Sequence, residues 1–219
     1  MGYFWKQGGK LKMTIINSRE TIKELTYKMS RKERFAFVNF SRSALLAATG
    51  KIPAEKRPPK PFVKSIVSAL EVKNNNYMKA IPTHMIGQGS GFSVSEIKSL
   101  DNEKIYDAGM LEYYYVSKKD IFDSFVEHYI KYSSTLVVSF HEKKTIQKVI
   151  GSPKHYLQVP YNDFYDKLDS IYESIIAHEN IDYCILDCPV LASALAPKIW
   201  ENSNMSILDF GKVFTIASK

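Results

Sequence analysis

Cysteine is scarce: the 219 residues hold two, Cys184 and Cys188, with three residues between them. If one lies in a strand and the other just past its end, a disulfide between them is awkward. With no secretory signal recognisable either, a reducing, cytoplasmic setting is expected. No third ligand lies nearby in sequence, so the pair also makes a poor zinc site. Long apolar runs are missing as well. Nothing approaches the roughly 20 residues that cross a bilayer, which predicts a soluble protein without a membrane span. There is no internal repeat and no low-complexity tract. Glycine is sparse, and its one cluster, "GQGSGF" at 87–92, does not sit between a strand and a helix as a dinucleotide fingerprint requires.

Acidic residues are outnumbered, 23 against 30 basic, giving a net charge of +7 and an isoelectric point near 9.2. Such a balance suits a nucleic-acid or membrane partner. Three of the lysines, Lys6, Lys10 and Lys12, lie in the opening "MGYFWKQGGKLKM". Gly8-Gly9 matches what a purine-rich ribosome-binding sequence would encode, and Met13 follows at a suitable spacing. Met13 is therefore expected to be the start, in a bacterial or phage gene, with residues 1–12 a read-in or disordered tail. Without those lysines the charge falls to +4, an ordinary solubility feature.

What is present is a regular alternation. "SRETIKELTYKMSRKE" (18–33) reads as an amphipathic helix capped by Ser18. "RFAFVNFS" follows as a buried strand, and "ALLAATG" as a helix stopped at Gly50. Beyond a proline-rich loop, "PFVKSIVSALEVK" is a helix and "YMKAIPTHMIG" a short strand leaving into a loop. Residues 87–118 are irregular and read as an insertion or lid. From 119 onward, helices at 119–133, 144–151, 162–180 and 189–202 alternate with strands at 135–140, 155–160, 182–187 and 205–210. The helix at 162–180 is expected to be capped by Asn162 or Asp163. This pattern predicts an α/β fold, a Rossmann-like, mostly parallel sheet with helices on both faces, in a single domain over 13–219.

Ligands of such sheets bind beyond the carboxyl ends of the strands. The rule selects Ser41, Arg42 and Ser43; His141 and Glu142; Pro160, Tyr161 and Asn162; Asp187 and Cys188; Asp209 and Gly211. Each has a plainer reading. Ser41 or Ser43 caps a helix, His141 is a loop histidine, Asp187 caps the helix at 189, and Asp209 with Gly211 holds a tight turn. Tyr113-Tyr114-Tyr115 is packing or a stacking platform. Taken together, the polar tips converge on one rim. There, helix N-termini offer free N–H groups and Arg42 a fixed cation suited to a diphosphate.

These residues resemble the GT-D-fold glycosyltransferases, a family first catalogued as a domain of unknown function. "VNFSRSALLAATG" stands where that family has an "RFGDGE"-type motif. "VPYNDFYDKLDSI", "LDCPVLASALAPKIW" and "ILDFGKVF" follow in the order of its later motifs, so the likeness covers residues 30–214. The resemblance implies a transferase using a nucleotide-diphosphate sugar. It also implies an acidic pair at the first motif, for metal and nucleotide sugar. The matching positions here are Arg42 and Ala44, which bind no cation, so a divalent metal is doubtful and no tightly held cofactor is expected. Ser41, Arg42, Ser43, Asn162 and Gly211 are the expected donor and phosphate residues. Asp187, Asp209 and Glu142 are the expected catalytic ones. The acceptor stays open between a glycan, a protein and a modified DNA base. Two other functions fit the same residues: a non-catalytic phosphate-binding module of this fold, and a nucleic-acid-binding protein using the lysines and the tyrosine run.

Overall fold

A computed structural model describes residues 3–7, 10–82, 85, 97–101 and 103–219. Nine strands form one sheet in the order β1-β2-β5-β4-β3-β9-β8-β6-β7. They are β1 (Tyr3–Gln7), β2 (Lys10–Ile16), β3 (Ala36–Asn39), β4 (Tyr77–Ile81), β5 (Glu103–Asp107), β6 (Thr135–Ser139), β7 (His155–Gln158), β8 (Tyr183–Asp187) and β9 (Ser206–Asp209). From β2 to β7 every pairing is parallel, and only β1, on the edge, runs antiparallel to its neighbour. The helices among the described residues are α1 (Ser18–Ser30), α2 (Arg42–Ala48), α3 (Lys60–Glu71), α4 (Met110–Ser117), α5 (Lys119–Tyr129), α6 (Lys143–Ile150), α7 (Leu168–Ile176), α8 (Pro189–Asn202) and α9 (Val213–Ala217).

Strands β3, β4, β6, β8 and β9 are buried at every position. That follows from their place between two helical layers, and it explains their largely apolar sequences, broken at the centre only by Lys79 of β4. One core packs α2, α3, α7 and α8 against the sheet through Ala44, Phe62, Leu168 and Leu191. The other packs α1, α4, α5, α6 and α9 on the opposite face through Leu25, Met110, Phe122, Ile146 and Val213. Neighbouring strands β3 and β9 are thus followed by helices on opposite faces, α2 and α9. So are β8 and β6, followed by α8 and α6. Each reversal opens a crevice at the carboxyl rim.

Three expectations change. The segment before Met13 is not an unstructured tail: β1 and β2 form a hairpin, and β2 pairs with β5 from Met13 to Ile16. The irregular stretch expected at 87–118 contains β5 and α4. Its first part, 87–96, lies outside the described residues. Strand β5 escaped notice because its leading residues are charged. Glu103 there pairs with Lys73 at 2.7 Å and Lys79 at 3.4 Å, and Ile105 and Tyr106 alone reach the cores. The helix expected from 162 begins later, with a short 3₁₀ turn at Tyr165–Lys167 leading into α7. Asn162 and Asp163 precede it, with Asp163 in the left-handed region (φ 58°), so neither caps it. Likewise α1 is capped by Asn17, whose side chain accepts from Glu20 N–H at 3.0 Å.

Candidate active site

A cleft of about 200 Å³ opens over the carboxyl ends of β3, β4, β5 and β9. Its wall includes Asn39, Ser41, Asp107, Glu112, Asp209 and Gly211. Ligand sites commonly enclose roughly 300–1,000 Å³, so the described residues surround one ring-sized group rather than a whole nucleotide sugar.

Asp209 ends β9 and is 1% exposed. Its Oδ1 accepts from Gly211 N–H at 2.9 Å and from Asn39 Nδ2 at 3.3 Å, and its Oδ2 from Asn39 N–H at 3.2 Å. These bonds clamp β3 to β9 where the helices diverge. Burial pushes the Asp209 carboxyl up to about 7, although the Gly211 and Asn39 donors pull the other way. Asp107 ends β5 with its Oδ1 accepting from Gly109 N–H at 3.0 Å and its Oδ2 from the Ser18 hydroxyl. Glu112, in the first turn of α4, accepts Lys212 N–H on Oε1 at 2.9 Å. Gly211 (φ +61°) is fitted between them: a Cβ there would stand 2.7 Å from Glu112 Oε1 and 3.2 Å from Asn39 Nδ2.

The N-termini of α4 and α8 also reach this cleft, through Gly109 and Pro189. Neither helix has a side-chain cap. Pro189 carries no N–H and Gly109 N–H is held by Asp107 Oδ1, so an anion there would meet the N–H groups of the residues that follow, where the helix dipole favours it.

A second polar cluster fills the other crevice, between β6 and β8. Asp187 (2% exposed) accepts the Ser139 hydroxyl, and Ser139 Oγ accepts His141 N–H at 2.9 Å. His141 Nε2 lies 3.0 Å from Thr215 Oγ1 and 3.9 Å from Asp187 Oδ2. Burial pushes Asp187 up to about 8, with the nearby Asp209 charge adding to it, and lowers the His141 pKa. Both groups are therefore mostly neutral near pH 7, and their contact is not an ion pair.

The rim residues chosen from the sequence thus divide. Ser41, Asp209 and Gly211 line the central cleft. Ser41 also caps α2, accepting Ala44 N–H at 3.3 Å. Arg42 and Ser43 sit exposed on the first turn of that helix, outside the cleft wall. Asp187 and His141 form the neighbouring cluster. Glu142 is exposed, 2.8 Å from Lys144. Exposed Asn162 follows β7, four strands from β3, which is roughly 19 Å at ordinary strand spacing. Three cleft residues went unnoticed in the sequence: Asn39, Asp107 and Glu112. Asp107 carried a usable signal, being the polar end of a short Ile-Tyr strand. The tyrosine run belongs to α4, with Tyr114 in the core and Tyr115 packed edge-on to Phe122, so it forms no continuous stacking platform. Both cysteines are free and buried, and burial pushes the Cys184 thiol up to about 12.

The positions matching the family's acidic pair do not fit a metal. Arg42 is a cation and Ala44 is wholly buried. Among the described residues, no group of three or more His, Cys, Asp or Glu side chains is arranged to hold one. No described helix is long and apolar enough to cross a membrane.

No protein-family model and no curated protein sequence matches the chain. Solved structures do. One is described as "A New Glycosyltransferase (DUF1792) from Streptococcus sanguinis"; it has a TM-score of 0.69 at 11% identity, over 91% of this chain and 81% of that one. A selenomethionine-substituted DUF1792 domain gives 0.69 at 13%, over 92% and 79%. A third, reported under "The highly conserved domain of unknown function 1792 has a distinct glycosyltransferase fold", gives 0.67 at 12%, over 92% and 79%. The chain therefore has the fold of these proteins, in line with the resemblance read from its motifs.

Proposed function

We propose that this chain is a glycosyltransferase that draws on a nucleotide-diphosphate sugar. The observation that carries the reading is the acid-lined cleft at the β3/β9 reversal, flanked by the uncapped N-termini of α4 and α8. The diphosphate would lie against those helix ends, with Lys212 at the cleft and Arg42 on the rim as nearby cations. The sugar would sit among Asp107, Glu112 and Asp209, whose oxygens accept from hydroxyls. Asp209 is the preferred general base, since its pKa of about 7 lies near the working pH. It would take the proton of the acceptor hydroxyl as that oxygen bonds to the anomeric carbon. The bond from that carbon to the diphosphate breaks, and the nucleoside diphosphate leaves with the charge, which the helix ends stabilise. In this reading Asp187 and Glu142, which do not line the cleft, take no part in the proton transfer.

Calorimetric titration with uridine, guanosine, thymidine and adenosine diphosphate sugars, paired with a hydrolysis assay, tests this. One nucleotide should bind, and Asp209→Asn should lower turnover by about 10²–10⁴-fold with binding kept. Absence of binding at millimolar concentration of every donor would refute the reading. A second reading, a non-catalytic module of the same fold, is favoured by the protein donors already on both oxygens of Asp107 and Asp209. It predicts binding without hydrolysis or transfer to any acceptor.

A further inference from the structure

Asn39 stands at the position where the resembled motif begins, and it is an asparagine held in one orientation. The residue is buried, at 8% exposure. Nδ2 faces two acceptors of Asp209, the main-chain oxygen and Oδ1, each at 3.3 Å. Turning the amide over would set Oδ1 against both oxygens, so the network fixes which end is the donor. The outcome is that Oδ1 has no hydrogen-bond partner among the described residues. A buried amide oxygen without a donor bears its full desolvation cost, and buried acceptors of this kind are rare enough to require a reason. The same residue lines the cleft with Asp107, Glu112 and Asp209. The carboxyls of Asp107, Glu112 and Asp209 beside it make the lining rich in acceptors, which answers hydrogen-bond donors. The cation at the cleft, Lys212, is exposed.

We propose that Asn39 Oδ1 is a specificity determinant for the sugar, accepting a hydrogen bond from one of its hydroxyls. This rests on the reading of the cleft as a nucleotide-sugar site. Once the sugar fills the cleft, that hydroxyl supplies the missing donor. A sugar lacking it leaves the amide oxygen unsatisfied. Discrimination by a missing hydroxyl is strong for this reason, whereas discrimination by size alone is weak. The neighbouring carboxylates accept from the remaining hydroxyls, each oxygen still having lone-pair capacity beyond its protein donor.

The test is a coupling measurement between one protein atom and one ligand atom. The best-binding nucleotide sugar and its singly deoxygenated analogues are titrated into the wild-type protein and Asn39→Ala, with the free nucleotide diphosphate alongside. In the wild type, one deoxy position should weaken binding about tenfold. In Asn39→Ala that loss should shrink to under twofold, while affinity for the free nucleotide stays within twofold of wild type. A merely structural role for Asn39 would shift all ligands together and leave the deoxy penalty in place; that result overturns the proposal. The wild-type arm stands without a variant: if no deoxy position costs more than twofold, the proposal fails. Asn39→Ser serves the same comparison should the alanine protein not fold. Binding of neither sugar nor nucleotide would instead overturn the reading of the cleft itself, and this proposal with it.

Discussion

At the scale of single residues the cleft is built by exclusion and burial. Gly211 adopts φ +61° with Glu112 and Asn39 against the place a Cβ would take. Gly50, at φ +71°, has open space there. Both substitutions to alanine meet the left-handed penalty of about 1–2 kcal/mol, but Gly211→Ala adds overpacking of about 1–3 kcal/mol. Denaturant unfolding should therefore show Gly50→Ala down by about 1–2 kcal/mol and Gly211→Ala by about 2–5. Equal losses would mean that the Glu112 contact yields freely. The buried carboxyls give a second residue-scale expectation. Asp187 and Asp209 keep their protons to about pH 8 and 7, whereas an unfolded aspartate releases its proton near 3.8. Between those values the folded state binds more protons than the unfolded one, so stability falls as pH rises from about 4 to 8. His141 acts in the opposite sense: its lowered pKa removes stability as pH drops below its ordinary 6.5. Urea midpoints measured from pH 5 to 8 should decline toward pH 8, and Asp187→Asn, which keeps an acceptor for the Ser139 hydroxyl, should flatten the decline. An unchanged slope in that variant would show that Asp187 is ionised throughout.

At the scale of elements, the parts that sequence reveals are those whose pattern reflects burial on both faces. "FAFVN", "TLVVS", "YCILD" and "SILD" are apolar because helices cover them above and below, and all four are strands of the central sheet. Ser41 and Gly50 likewise marked the ends of α2. Strands outside the fully buried centre of the sheet lack that signature. In β5, Glu103 pairs with Lys73 and Lys79 and Lys104 with Glu24, partners distant in sequence. The hairpin of β1 and β2 was passed over for the same reason, since its lysines and glycines read as tail. The candidate site followed suit. Asp209 and Gly211 could be found from the strand-end rule, while Asn39 looked like one more strand residue until its bond to Asp209 brought β3 and β9 together. The hairpin carries its own expectation. Strand β1 covers the outer edge of β2, and an uncovered edge strand invites pairing with another chain. Deleting residues 1–9 should lower the unfolding midpoint and produce concentration-dependent association in light scattering. If both stay as in the full chain, the hairpin contributes nothing to the sheet.

At the scale of the whole molecule, charge and fold pull in different directions. The chain carries a net +7, yet its central cleft is lined by three carboxylates. A dianionic diphosphate is therefore not drawn by the cleft wall. Its attraction has to come from the field of the whole protein and from the ends of α4 and α8, with Arg42 and Lys212 as the nearest candidate cations. The resembled family places an acidic pair at the first motif, and this chain has Arg42 and Ala44 there. A cationic side chain and helix dipoles in place of a metal lead to a specific outcome. Binding of a nucleoside diphosphate should be unchanged by excess chelator and should weaken steadily with added salt, since the rim charges are exposed. Arg42→Ala should weaken it by about 1.5–3 kcal/mol, the worth of a hydrogen bond to a charged group. Arg42→Lys should recover part of that, because an ammonium lacks the two-pronged guanidinium contact. Melting should hardly move in either variant, as Arg42 is exposed and the cap of α2 is the Ser41 hydroxyl. Binding that appears only with added Mn²⁺ or Mg²⁺ would overturn this account and assign the diphosphate to a cation held by the carboxylates of the cleft.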